Sequence, residues 1–128
     1  MKPPARAAGK AEGAGISSRR FTVGPDLFGK TWTADFAWLQ TAISIRHSDS
    51  VDVKFFLDDG EHGTEKVIAL MHPDLLELSR VTGHPLTDPW CMELASRHLR
   101  HMIETGEDME KTLVTVSPDA LRRYASLS

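Results

Sequence analysis

Residues 50–83 read SVDVKFFLDDGEHGTEKVIALMHPDLLELSRVTG, and three kinds of backbone follow one another within them. Val51, Val53, Phe55 and Leu57 alternate with Asp52, Lys54 and Phe56, the two-residue period of a strand with one buried face. DDGEHGT (58–64) gathers two glycines and polar residues for a turn, and EKVIALM returns as a second strand. The pair predicts an antiparallel hairpin whose loop is longer than the tight two-residue kind. Pro73 then suits a first helical position, where its missing N–H goes unused, Asp74 suits the positive helix end, and Gly83 suits a stop. Leu75, Leu76 and Leu78 are expected to face the sheet.

Working outward to the C-terminus, TDPWCMELASRHLRHMIETG (87–106) is a helix with Asp88 as cap, Pro89 as first helical residue and Gly106 as stop. At 100° per residue, Cys91, Leu94, Ala95, His98, Leu99 and Met102 share one stripe, with Ile103 at its margin. KTLVTV (111–116) is a short β-branched strand, and SPDALRRYASLS a last helix capped by Ser117. Residues 65–79 and 110–126 align at an offset of 45 residues, with Glu65/Glu110, Lys66/Lys111, Pro73/Pro118, Asp74/Asp119 and Leu76/Leu121 identical. Each is a strand running into a Pro-Asp helix start. A duplicated β–α unit and the ordinary grammar of helix starts both account for the match.

Towards the N-terminus, Thr33 can cap a helix with Asp35 in its first turn. Phe36, Leu39 and Ile43 then form one stripe, and Trp38, Ala42 and Ile45 another. The spacing predicts helix to about residue 42, with AISIR also readable as strand. FTVGPDLFGK (21–30) reads as a loop, because Gly24-Pro25 and Gly29 interrupt its apolar residues. Residues 1–30 are rich in Ala, Gly, Pro and Ser, the composition of a disordered tail. The fold expected is therefore a small single α+β domain at residues 31–128 behind a flexible basic tail at residues 1–30. Within the domain, the β-hairpin and a third strand make an antiparallel or mixed sheet packed against three to four helices.

A chain of 128 residues is one domain's worth, and 41% hydrophobic with 26% charged residues is an ordinary globular balance. The single cysteine makes no internal disulfide and fits a reducing compartment. No stretch approaches the 18 or so apolar residues of a membrane span, and the N-terminus lacks a secretory h-region. Together these place the chain in a cytoplasm, that of a bacterium, with no membrane association. Charge is uneven. Residues 1–20 hold five basic groups against one acid, a net +4, and residues 21–128 hold ten against seventeen, a net −7.

Candidate chemistry is sparse. His98 and His101 stand three apart on the long helix and could share a metal only with a third ligand from elsewhere, His72 or His84. The H-E-x-x-H and C-x-x-C signatures are absent. Cys91 lies in a first helical turn, where a thiol can be activated, but seven residues separate it from His98, about 10.5 Å of axis. Asp58, Asp59, Glu61, His62 and Glu65 crowd the hairpin loop without calcium-loop spacing. Adjacent residues such as Arg46, His47, Ser48 and Asp49 cannot form a triad with one another. Trp32, Trp38 and Trp90 read as core or interface anchors. No nucleophile elbow, phosphate loop or dinucleotide fingerprint occurs.

The function expected is a non-catalytic interaction or regulatory module, with no catalytic residue and no cofactor. Its partner is a protein or a second copy of itself, in a homodimer paired through exposed sheet edges. One alternative is a metal-dependent or cysteine enzyme using His98, His101 and Cys91. The other is association with nucleic acid through Lys2, Arg6, Lys10, Arg19 and Arg20. The body disfavours it, because no basic face continues the track.

Overall fold

A computed structural model describes residues 19–42 and 49–126. The elements in chain order are β1 (Arg20–Val23), β2 (Trp32–Ala42), β3 (Ser50–Asp58), β4 (Gly63–Met71), α1 (His72–Thr82), α2 (Asp88–Thr105), β5 (Leu113–Thr115) and α3 (Pro118–Ala125). The five strands form one mixed sheet in the order β1-β2-β3-β4-β5. The first three pairings are antiparallel and β4–β5 is parallel. Among the described residues the domain is thus α+β, with three helices.

β3 and β4 pair as their alternation predicts. Val51, Val53, Phe55 and Leu57 are buried on the helix-covered face, opposite Ile68 and Leu70 of the same layer. Leu75 and Leu78 of α1 and the stripe from Cys91 to Ile103 of α2 complete this core. Leu76 does not join it. It is 52% exposed, because a helix that buries Leu75 and Leu78 turns the residue between them outward. The cap of α2 is Thr87, whose side chain accepts from Trp90 N–H at 3.3 Å, and Asp88 is in the first turn instead. Ser117 caps α3 by accepting from Ala120 N–H at 3.2 Å.

The largest correction lies at the N-terminus. The helix expected over residues 33–42 is β2, and the domain begins before residue 31, since Arg20–Val23 pairs with Trp32–Asp35. Of the tail expected at residues 1–30, residues 1–18 lie outside those described, as do residues 43–48. The misreading has a physical cause. Phe36 pairs with Phe55 and Trp38 with Lys54, so Ala37 is an extra residue in a β-bulge. One extra residue sets the core-side apolar residues Ala34, Phe36 and Leu39 at spacings of two and then three, and the second spacing mimics a helix. With β1 and β2 added, the sheet has five strands instead of the expected three.

Parallel pairing of β4 and β5 dictates where α2 ends. β4 finishes at Met71, yet Leu113 of β5 lies beside Val67, back towards the start of β4. The intervening chain must return along the sheet, and the 18 residues of α2 span about 27 Å, enough to do so. The carboxyl end of α2 therefore arrives at the end of the sheet that holds the β1–β2 and β3–β4 loops. Lys66 anchors the arrival. It is 3% exposed on the core face, and its ammonium donates to the carbonyl of Met109 at 2.6 Å and of Lys111 at 2.5 Å. Burial pulls its pKa down, and the nearby charge of Glu110 partly opposes this. The two sequence-aligned units, β4–α1 and β5–α3, lie side by side as parallel neighbours.

The bulge makes an unusual prediction. Deleting Ala37 restores a regular ladder while leaving Phe36 and Trp38 on their present faces, whereas deleting Asp35 sends Phe36 outward. Urea titration is expected to find the first variant within about 1 kcal/mol of the parent and the second at least about 2 kcal/mol worse, the worth of one large apolar side chain. Equal losses would remove the bulge from Ala37.

Candidate functional site

The site forms where that end of the sheet meets α2, and the loop between β1 and β2 builds one side of it. Gly24 has φ +122°, and a Cβ there would lie 2.9 Å from the carbonyl oxygen of Lys30, so only glycine closes this loop. Asp26 then organises it. Its carboxylate accepts from the N–H of Phe28 at 2.8 Å, the N–H of Lys30 at 2.9 Å and the indole N–H of Trp32 at 3.0 Å. Its own N–H donates to the carbonyl of Lys30 at 2.8 Å, and its carbonyl accepts from Gly29 N–H at 3.1 Å. These donors, the Trp32 indole first and the Lys30 N–H next, hold the Asp26 carboxyl below its usual pKa.

The loop held in this way presents its apolar side chains outward. Leu27 is 68% exposed and Phe28 88%. They overhang a groove of about 630 Å³, lined by Leu27, Phe28 and Trp32 on one side and by Ile103, Gly106 and Met109 on the other. Gly106 ends α2 with φ 78°, its N–H donating to the carbonyl of Met102 at 2.7 Å. A Cβ on it would lie 2.9 Å from Cδ1 of Leu27, so loop and helix end meet there. Asp26, Lys30 and Asp59 supply the polar lining. Lys30 pairs with Asp59 at 3.2 Å and with Glu61 at 3.6 Å. The Asp59 carboxyl is held far below its usual pKa, first by the N–H of His62 and then by that of Glu61.

None of the histidines named from the sequence, nor Cys91, lines this groove. His98 is 4% exposed, and its Nδ1 lies 2.7 Å from the hydroxyl of Tyr124 on α3. Among the described residues its Nε2 has no hydrogen-bond partner. Arg97 donates to the Tyr124 carbonyl, so adjacent residues of α2 grip one residue of α3. His101 stacks beside His98 at 6.0 Å between ring centres but directs Nε2 to Glu107, 3.0 Å away. His72 begins α1, its N–H bonded to the carbonyl of Asp49, and His84 stacks on Trp90 at 4.9 Å. Among the described residues no group of three or more His, Cys, Asp or Glu is placed to hold a metal ion. Cys91 is buried, and its pKa is pushed up to about 11, by desolvation first and by the charge of Asp88 second. Its thiol is therefore protonated at neutral pH and behaves as a small core residue.

Of the tail's basic groups, Arg20 makes a two-point contact with Asp35 at 3.0 and 3.1 Å, and Arg19 lies 5.4 Å over the ring of Phe36. Both are engaged by their own domain. Lys2, Arg6 and Lys10 lie outside the described residues. Among the described residues, no helix is long and apolar enough to cross a membrane.

In the sequence, Leu27 and Phe28 are simply apolar residues of the glycine-interrupted segment FTVGPDLFGK. The available signal was Asp26, two residues after a glycine and two before Phe28, where an aspartate closes a turn on following N–H groups.

His98 carries a pH prediction. Burial, and then the charge of His101, lower its pKa below 6.5, while Glu107 and Asp108 oppose this. The unfolded chain takes up the proton near pH 6.5 and the folded one only further down. Stability is thus whole above about pH 6.5 and is lost as pH falls, at up to about 1.4 kcal/mol per pH unit. Urea unfolding at pH 7.5 and 5.5 should show a larger loss for the parent than for His98→Gln. Identical losses would mean that His98 does not titrate this way. Compared with protein-family models, with curated proteins and with solved structures, the chain matches none.

Proposed function

We propose that this protein is a non-catalytic interaction module and that it binds its protein partner through the groove beside Phe28. One observation carries the reading: Phe28 is 88% exposed on a loop whose backbone is tied to the Asp26 carboxylate. An aromatic side chain left in water costs solubility, and aromatic anchors presented in advance are what tight interfaces use. Side chains that project outward suit a protein partner, which can wrap them, better than a small ligand, which a site encloses.

Pairing through the sheet edges is less well supported. The edge strands β1 and β5 have four and three residues, and short edges limit strand addition, although β1 covers β2 only at Trp32–Asp35. A cytoplasmic setting belongs to the same proposal, supported by the lone free thiol of Cys91.

The test is a peptide-display selection on the intact protein, repeated on the double variant Leu27→Ser, Phe28→Ser. Because both side chains are exposed, the variant should unfold within about 0.5 kcal/mol of the parent. Peptides enriched on the parent should lose at least about tenfold in affinity on the variant, more than about 1.4 kcal/mol and a value typical of anchor residues. Enriched peptides that bind both proteins equally would sink the reading.

A further inference from the structure

We infer that the groove receives a basic amphipathic segment of a partner protein, its apolar face on Phe28 and Met109 and its lysines or arginines against the groove's acidic banks. The inference rests on the docking reading above and names the chemistry of the occupant.

Charge is concentrated around this one feature. Asp26, Asp59 and Lys30 line it, Glu61 pairs with Lys30, and Glu104, Glu107, Asp108, Glu110 and Lys111 flank its lining residues Ile103, Gly106 and Met109 in the chain. Both lysines are already paired, Lys30 with Asp59 at 3.2 Å and Lys111 with Asp108 at 3.3 Å. The segments that supply the groove's lining therefore carry seven acids against these two lysines.

The acids at the end of α2 also stand where helix electrostatics disfavours them. The carboxyl end of a helix is its negative pole, stabilised by basic residues. α1 ends with Arg80, and α3 with Arg122 and Arg123. α2 has no basic residue in its last turn; Glu104 stands there, and Glu107, Asp108 and Glu110 follow. The chain obeys the dipole rule in two helices and breaks it in the one that borders the groove. Local rules broken at a loss of stability mark sites kept for binding.

These charges also discriminate among occupants. A second copy docked on the same surface would bring the same excess of acid into contact with itself, which costs binding energy. Residues 1–18 of this chain carry basic groups, but Met1 and Ile16 are their only large apolar residues, too few to cover Phe28, Trp32 and Met109. A partner segment with both an apolar face and basic flanks satisfies floor and banks together.

The experiment titrates the full chain with three labelled peptides of about 16 residues: a leucine/lysine amphipath with helical spacing, its leucine/glutamate counterpart, and a scrambled leucine/lysine peptide without an apolar face. Binding is read by peptide anisotropy and by Trp32 emission. The leucine/lysine amphipath should bind at least about tenfold tighter than either other peptide and weaken as salt rises from about 50 to 300 mM. Phe28→Ser should abolish most of that binding, and Phe56→Ser, on the opposite face of the sheet, should not. Glu104→Lys should weaken binding several-fold while raising the melting temperature, because it relieves the helix end. Equal or tighter binding of the leucine/glutamate peptide, again dependent on Phe28, would overturn the charge assignment and leave the docking reading intact. So would a dimer of the peptide-free protein in sedimentation that Phe28→Ser dissolves. Absence of Phe28-dependent binding and of Phe28-dependent dimers would overturn both.

Discussion

A parallel strand cannot follow its neighbour through a tight turn, and that constraint shapes the molecule. β5 runs beside β4 in the same direction, so the chain must retrace the length of the sheet between them. α1 and α2 make that return on one face, burying Leu75, Leu78 and the stripe from Cys91 to Ile103 against Val53, Phe55 and Ile68. The return also delivers the carboxyl end of α2 to the loops at the opposite end of the sheet. Lys66 fixes the delivery by donating to the carbonyls of Met109 and Lys111. A buried ammonium is costly unless its donors are used, and here it uses two of them on backbone carbonyls.

The groove follows from two local structures that meet only because of that topology. One is the β1–β2 loop, where a single carboxylate, Asp26, satisfies three N–H donors and leaves Leu27 and Phe28 in water. The other is the end of α2, where Gly106 leaves room for Leu27 and the acids gather. Each departs from what stability alone would favour. Their coincidence at one place, away from buried His98 and Cys91, directs attention to binding there.

The reading of the sequence succeeded where one period dominated. Val51 to Leu57 alternate without interruption, and the helix after Thr87 has eight buried residues on one side. It failed at β2, because the bulge at Ala37 breaks the alternation in the middle of the strand. Having missed β2, it also left β1 in the tail, since four residues beside a glycine and proline form a strand only when a neighbour is there to pair with. The histidines show the same limit. Their spacing revealed that His98 faces the core, but its partner, the hydroxyl of Tyr124, lies 26 residues away on another helix.

By itself, then, the sequence determined the local elements from Ser50 onward, the buried faces of β3 and of the long helix, and the concentration of acid after residue 103. Those properties follow from side-chain periodicity and from residues such as Pro73, Gly83 and Gly106, which act within a few positions of themselves. Only the tertiary structure decided that β4 and β5 run parallel, that the glycine-bounded segment FTVGPDLFGK supplies an edge strand and a projecting loop, and that Phe28 stands opposite the end of α2. Those are pairings between residues far apart in the chain. Their free energy depends on backbone hydrogen bonds and apolar contacts that exist only once the whole sheet is assembled.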